Sequence, residues 1–295
     1  MRIGTRASAL ALAQARWVAE RLLAAGIDSI EIVEITTLGD RGAAVRDKSR
    51  WVSELERALL DGRIDVAVHS AKDVPTELGD ELALVAVPPR ADARDAVCGA
   101  DGLASLPAGA RVGTSSVRRA AQLRAAREDL RVLELRGNVD TRLRKLAEGQ
   151  VDALVLALAG LQRLGRADEA GGPIDEFVPA AGQGALALEA LRGSEAARVA
   201  AERVDDRDAS ASVAAERALV HALGASCHTP VGAHAVQLDD GSLRLSAWVG
   251  LPDGSAWLSD QVTGAAAAVG PRCAERMIAA GAADLLARAE AVLAT

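Results

Sequence analysis

Short β-like runs alternate with helical stretches through the first two thirds of the chain, an alternation that restricts this part to parallel α/β architecture. The runs lie near residues 2–4, 30–35, 64–68, 111–113, 132–135 and 153–158, and the helical stretches near 9–25, 51–60, 117–127 and 139–148. Ser8 stands where a side-chain cap would open the first helix, and Gly26 where a left-handed residue would close it. Pro88, Pro89 and the charged ADARD after them read as a linker, as does PAAGQG at 179–184. Two crossings imply a hinge between two α/β lobes, with ligands held at the carboxyl ends of the strands. The final third changes character. After helices near 196–203 and 210–223, alternating runs near 231–236, 243–249 and 256–262 precede a helix over 272–293, the pattern of a small antiparallel sheet with helices on one side. The expected domains are therefore 1–88 with 185–205, then 92–180, then 208–295. No internal repeat or low-complexity tract is visible in the sequence.

A net charge of −7 and a single Phe with no Tyr argue against nucleic acid as a partner, since phosphates need cations and bases need aromatic platforms. The charge is unevenly spread. Between Arg118 and Lys145 nine basic residues face four acidic ones, so this stretch calls for an anion. Cys98, Cys227 and Cys273 are widely spaced and form no CxxC pair, which signals neither a disulfide framework nor a metal site and fits a reducing, cytoplasmic setting. The N-terminal apolar run is short and continues as an amphipathic helix through Trp17, Val18, Leu22 and Leu23, so it reads as structure and not as an export signal. No window is long enough to span a membrane, and no heptad or long apolar stripe suggests more than a monomer.

Three turns carry candidate chemistry. HSAKDVP places Ser70, Lys72 and Asp73 where a buried strand opens into a loop stiffened by Pro75, although a solvated turn would also use such residues. GTSSVRR sets Thr114 and Ser115 between a strand and a helix start, with Arg118 and Arg119 following. Backbone N–H groups, hydroxyls and the helix dipole there suit a carboxylate or phosphate, and the arginine forks suit paired oxygens. An ordinary cap by Ser115 or Ser116 with solvated arginines is the plainer alternative. LRGNVDTR repeats the arrangement with Arg136 and Arg142, so two neighbouring strand ends would present arginines to one multiply charged ligand. Neither GxxxxGK[ST] nor GxGxxG occurs, which disfavours a nucleotide.

SCHTPVG puts Cys227 in a polar turn between a helix and a strand, where an exposed thiolate could be a nucleophile or an attachment point. Cys98 and Cys273 read as small buried hydrophobes, His228 as a surface residue or one that tunes Cys227, and His221 and His234 as filling or surface residues.

Together these segments resemble the porphobilinogen deaminase family. RIGTRASALALAQA, GDR, HSAKDVPTE, VGTSSVRRAAQL, LRGNVDTRL, LALAGLQRLG, PAAGQGALALE, ASCHTPVGA and WVGLPDG follow that family's order along almost the whole chain. The resemblance implies two hinged, doubly wound lobes of the periplasmic-binding-protein kind plus a small C-terminal α+β domain. It also implies a transferase that condenses four porphobilinogen units into hydroxymethylbilane and releases ammonia. The primer would be a dipyrromethane cofactor joined to Cys227 by a thioether, and no metal is implied. Asp73 would steady positive charge as ammonia leaves the substrate. Ser70, Lys72, Thr114, Ser115, Arg118, Arg119 and Arg136 would hold the cofactor; Arg6, Ser8, Lys48, Arg142 and Arg163 would hold substrate carboxylates.

One stretch departs from the pattern: where the family commonly has GGKGxF, this chain has VRDKSRW, with Lys48 and Trp51 at the basic and aromatic positions. His228 likewise replaces an uncharged polar neighbour of the cysteine. A hinged anion-binding protein without catalysis would explain the arginine turns but leave Asp73, Cys227 and the third domain without purpose. A cysteine hydrolase using Cys227 and His228 would lack a third orienting group.

Overall fold

The computed structural model describes residues 1–35, 49–225 and 229–294. Contacts divide the chain into two compact units, one of residues 1–91 and 184–211, the other of 92–183 and 212–295.

The first unit is built on β1 (Arg2–Arg6), α1 (Ala9–Ala24), β2 (Glu31–Ile35), α2 (Ser49–Leu60), β3 (Val66–Ser70), β4 (Leu82–Ala86), β10 (Leu186–Leu191) and α6 (Glu195–Val204). Its sheet runs β2-β1-β3-β10-β4, with β1 parallel to both β2 and β3, and β10 antiparallel to both β3 and β4. Strand alternation sends Ile3, Val66, Val68, Leu186 and Leu188 into a core under α1 and α6. On the other face Ala67 joins Ile64, Leu55 and Leu59 under α2. Apolar side chains on both faces are what a sheet sandwiched by helices requires.

The sheet of the second unit is built the same way from β5 (Asp95–Cys98), β6 (Arg111–Thr114), β7 (Arg131–Glu134), β8 (Ala153–Ala157) and β9 (Gly172–Ile174). Its order, β7-β6-β8-β5-β9, again joins three parallel strands to an antiparallel one. Beside these strands lie α3 (Val117–Ala126), α4 (Val139–Ala147) and α5 (Leu158–Arg163). The strand that opens the second sheet and the one that returns to the first thus hold equivalent places. The repeat is one of topology, invisible as sequence similarity.

The same unit contains α7 (Arg207–Ala222) from its sixth residue onward, then β11 (Val231–Gln237), β12 (Leu243–Gly250), β13 (Trp257–Gly264), α8 (Ala266–Ala279) and α9 (Ala282–Ala294). The three strands form an antiparallel sheet in sequence order, and both helices pack on it. The α+β reading of this part holds.

Local signals placed several boundaries correctly. Ser8 Oγ accepts from Ala11 N, and Gly26 has φ +93°, the left-handed conformation that favours glycine. Other expectations need correction. The helix expected over 272–293 is two helices, because Gly281 at φ +99° ends the first one. Strands β4, β5, β9 and β10 went unread. ADARD is not simply a linker, since its last residue, Asp95, opens the fully buried β5. Cys98 and Cys273 are buried free thiols, and burial pushes each up to about 11. No helix among the described residues is long and apolar enough to cross a membrane, and none of their His, Cys, Asp and Glu side chains cluster as a metal site.

Candidate active site

In the first unit the expected residues gather at one end of the sheet. β1 and β3 are parallel neighbours, so their carboxyl ends share an edge; Arg6 ends β1 and Ser70 ends β3. Ser8, two residues beyond Arg6, caps α1, which packs on both strands. Beyond Ser70 the chain turns through a 3₁₀ segment, Ala71–Asp73, that presents Lys72 and Asp73 half-buried. Ala71 N donates to Ala185 O at 3.0 Å, tying the turn to the residue just before β10. Gln14 of α1, buried and unnoticed in the sequence, donates Nε2–H to Ser70 Oγ at 2.8 Å. Lys48 lies outside the described residues.

In the second unit Thr114 ends β6 and is buried, Ser115 is exposed, and Ser116 caps α3 by accepting from Arg119 N. Arg118 and Arg119 are not solvated: they are 4% and 5% exposed and share the buried carboxylate of Asp95. Arg118 donates Nη2–H to Asp95 Oδ2 at 2.7 Å and Nη1–H to Val178 O at 2.8 Å. Arg119 donates Nε–H to Asp95 Oδ1 at 2.8 Å, and Gln183 donates to the same oxygen at 2.8 Å. Burial alone would raise the Asp95 carboxyl, but the two arginines and Gln183 bring it down to about 2. Burial and the neighbouring Arg119 pull Arg118 below its ordinary value. Two cations thus face one carboxylate, and Arg118 Nε is buried without a hydrogen-bond acceptor among the described residues.

Arg142, on α4, donates Nε–H to Gly137 O at 2.7 Å; burial and Arg119 push it down to about 10. Arg163, at the end of α5, is pushed to about 10 by burial. Arg136 is exposed and donates to Glu134 Oε1 at 2.6 Å. The unit therefore holds arginines of two kinds. Arg118 and Arg119 share Asp95, whereas Arg142 and Arg163 are pushed down by burial apart from that acid, and a nearby anionic group would favour their charged forms. A ligand bearing several carboxylates, as a dipyrromethane does, fits that donor set. Cys227 lies outside the described residues.

Asp95 and Gln183 escaped sequence reasoning because both sit in stretches that look like linkers. The available signal was the arginine pair itself, which needs a distant acid once it is buried.

Two doubly wound sheets with basic side chains at their strand ends, followed by an antiparallel layer, define an α/β protein of the two-lobed class. A family model described as porphobilinogen deaminase, dipyromethane cofactor binding domain, matches residues 1–199, and one for the porphobilinogen deaminase C-terminal domain matches 210–279. The chain belongs to the porphobilinogen deaminase family. A porphobilinogen deaminase of Brevibacillus brevis is 42% identical over 97% of this chain and 96% of its own length. One of Roseiflexus castenholzii is 47% identical over 97% and 98%, and one of Deinococcus deserti 50% identical over 86% of each. Among solved structures, the methionine binding protein MetQ is similar with a TM-score of 0.45 and 16% identity, covering 69% of this chain and 89% of that one.

Proposed function

We propose that this chain is a cytoplasmic, monomeric transferase that condenses four porphobilinogen units into the linear tetrapyrrole hydroxymethylbilane, releasing ammonia at each addition. The reading is carried by the gathering of Arg6, Ser8, Ser70, Lys72 and Asp73 at one sheet edge, in a chain whose residues 1–199 match the family's cofactor-binding domain. The dipyrromethane cofactor, held through a thioether at Cys227, supplies a nucleophilic terminal pyrrole carbon. Lys72, Arg118, Arg119 and Arg142 are the cations that would hold its carboxylates and those of the growing chain, with the hydroxyls of Ser70, Thr114 and Ser115 beside them. Arg136 and Arg163 complete the proposed set.

Asp73 is the proposed catalytic residue. Its carboxylate would stabilise positive charge on the substrate's aminomethyl carbon as the C–N bond breaks and ammonia leaves with the electron pair. It would then take up the proton released when the new carbon–carbon bond forms. The half-buried 3₁₀ turn supports this, because a carboxylate partly withdrawn from water acts more strongly on a developing cation.

The test is the intact mass of the purified chain beside that of Cys227→Ala, with Ehrlich's reagent applied to both. An added two-pyrrole mass on the unmutated chain alone, with colour, supports the reading. A bare chain that gains no adduct after incubation with porphobilinogen removes it and leaves a protein that binds anions reversibly.

A further inference from the structure

Two buried polar side chains outside the proposed machinery meet beneath the Lys72–Asp73 turn. His69 of β3 places Nε2 2.8 Å from Glu189 Oε2 of β10, and the side chains are 5% and 0% exposed. The strand register explains the meeting: Ala187 pairs with His69 and Glu189 with Ala67, so the two are diagonal neighbours on one face of an antiparallel pair. That face is the one covered by α2, where Ala67, Ile64, Leu55 and Leu59 form an apolar cluster. Glu189 Oε1 has no hydrogen-bond partner among the described residues. Burial, and after it Glu189, raise the carboxyl of Glu56 on α2, with His69 acting the other way.

An ion-capable pair with an unsatisfied oxygen costs more to bury than apolar side chains of equal volume would. What it supplies is a direction. The two residues before the turn are pinned from opposite faces of the sheet, Ser70 by Gln14 of α1 and His69 by Glu189 of β10. Only Ala71 and Lys72 separate this double anchor from Asp73.

We propose that His69, clamped by Glu189, is a positioning residue that fixes the angle at which β3 delivers Lys72 and Asp73 to the reacting atoms. The inference rests on the function proposed above and deepens it. Because a misplaced carboxylate slows chemistry more than it weakens binding elsewhere on the ligand, the pair acts on kcat.

The experiment compares holoenzyme of the unmutated chain with His69→Leu, Glu189→Leu, the double variant, His69→Gln and Glu189→Gln. Turnover is normalised to the fraction carrying the two-pyrrole adduct by intact mass. The expected result is a loss in kcat of tenfold or more in each leucine variant with KM within twofold, and a double variant no slower than either single one. His69→Gln, which keeps a donor near Nε2, and Glu189→Gln, which keeps an acceptor, recover most of kcat. If the leucine variants fail to fold, the glutamine variants decide. Each should retain at least a third of kcat, and a loss as deep as that of Asp73→Asn overturns the clamp. Leucine variants with unchanged kcat, or with losses that multiply in the double variant, also overturn it. An unmutated chain that neither carries the adduct nor consumes porphobilinogen fails the functional reading itself, a different outcome from active enzyme indifferent to His69.

Discussion

Asp95 and Arg118 form a buried ion pair at 2.7 Å between the first strand and the first helix of the second sheet, and Arg119 shares the same carboxylate. Removing the acid strands two guanidinium groups in an interior site, the costly way to break a buried pair. Asp95→Asn is expected to lower unfolding stability by about 3 kcal/mol. The midpoint of urea unfolding checks this, and a midpoint within error of the unmutated chain would show that water enters the site.

Acid should find the same carboxylate. Asp95 lies at about 2 when folded, below its ordinary 3.8, so its contribution to stability is complete above about pH 4 and disappears as pH falls towards 2. The window is worth about 2 kcal/mol. Unfolding midpoints measured from pH 5 to pH 2 should therefore fall less steeply for Asp95→Asn than for the unmutated chain. Parallel curves would place the acid sensitivity elsewhere.

Asp73→Asn should keep the fold and the covalent adduct and lose turnover by about 10²-fold or more, the usual scale for removing a group that handles charge and protons. Intact mass and steady-state rate check the two halves of this expectation together. Near-normal turnover would take Asp73 out of the mechanism.

Arg142, unlike Arg118, donates to a backbone carbonyl and not to Asp95. Burial and Arg119 oppose its charge, so Arg142→Met should leave the thermal midpoint unchanged or raised while raising KM for porphobilinogen by tenfold or more. A lowered midpoint with unchanged KM would make Arg142 a structural residue.

The cap at Ser8, the types of most elements and the strand-end positions of Ser70 and Thr114 were legible in the sequence. A cap such as Ser8 closes a hydrogen bond to an amide three residues on, and a strand announces itself by a local apolar run. The order of family-like segments was also legible, and the family comparison agrees with it. Gln14, Asp95 and Gln183 were not, because nothing near each in sequence distinguishes it from a surface polar residue. β10 was missed for a similar reason: LALEAL does not by itself reveal a central strand between β3 and β4.

The sequence by itself determined the α/β class, the family, the caps and the residue types offered at each strand end. Only the tertiary structure decided which arginines share the buried carboxylate of Asp95 and which are desolvated apart from it. Sheet order made that decision: it brings Asp95 to arginines 23 and 24 residues away, and Glu189 to a histidine 120 residues away. Bonds that close within one helical turn are written in neighbouring residues, whereas a cross-strand partner is fixed only when the whole sheet has assembled.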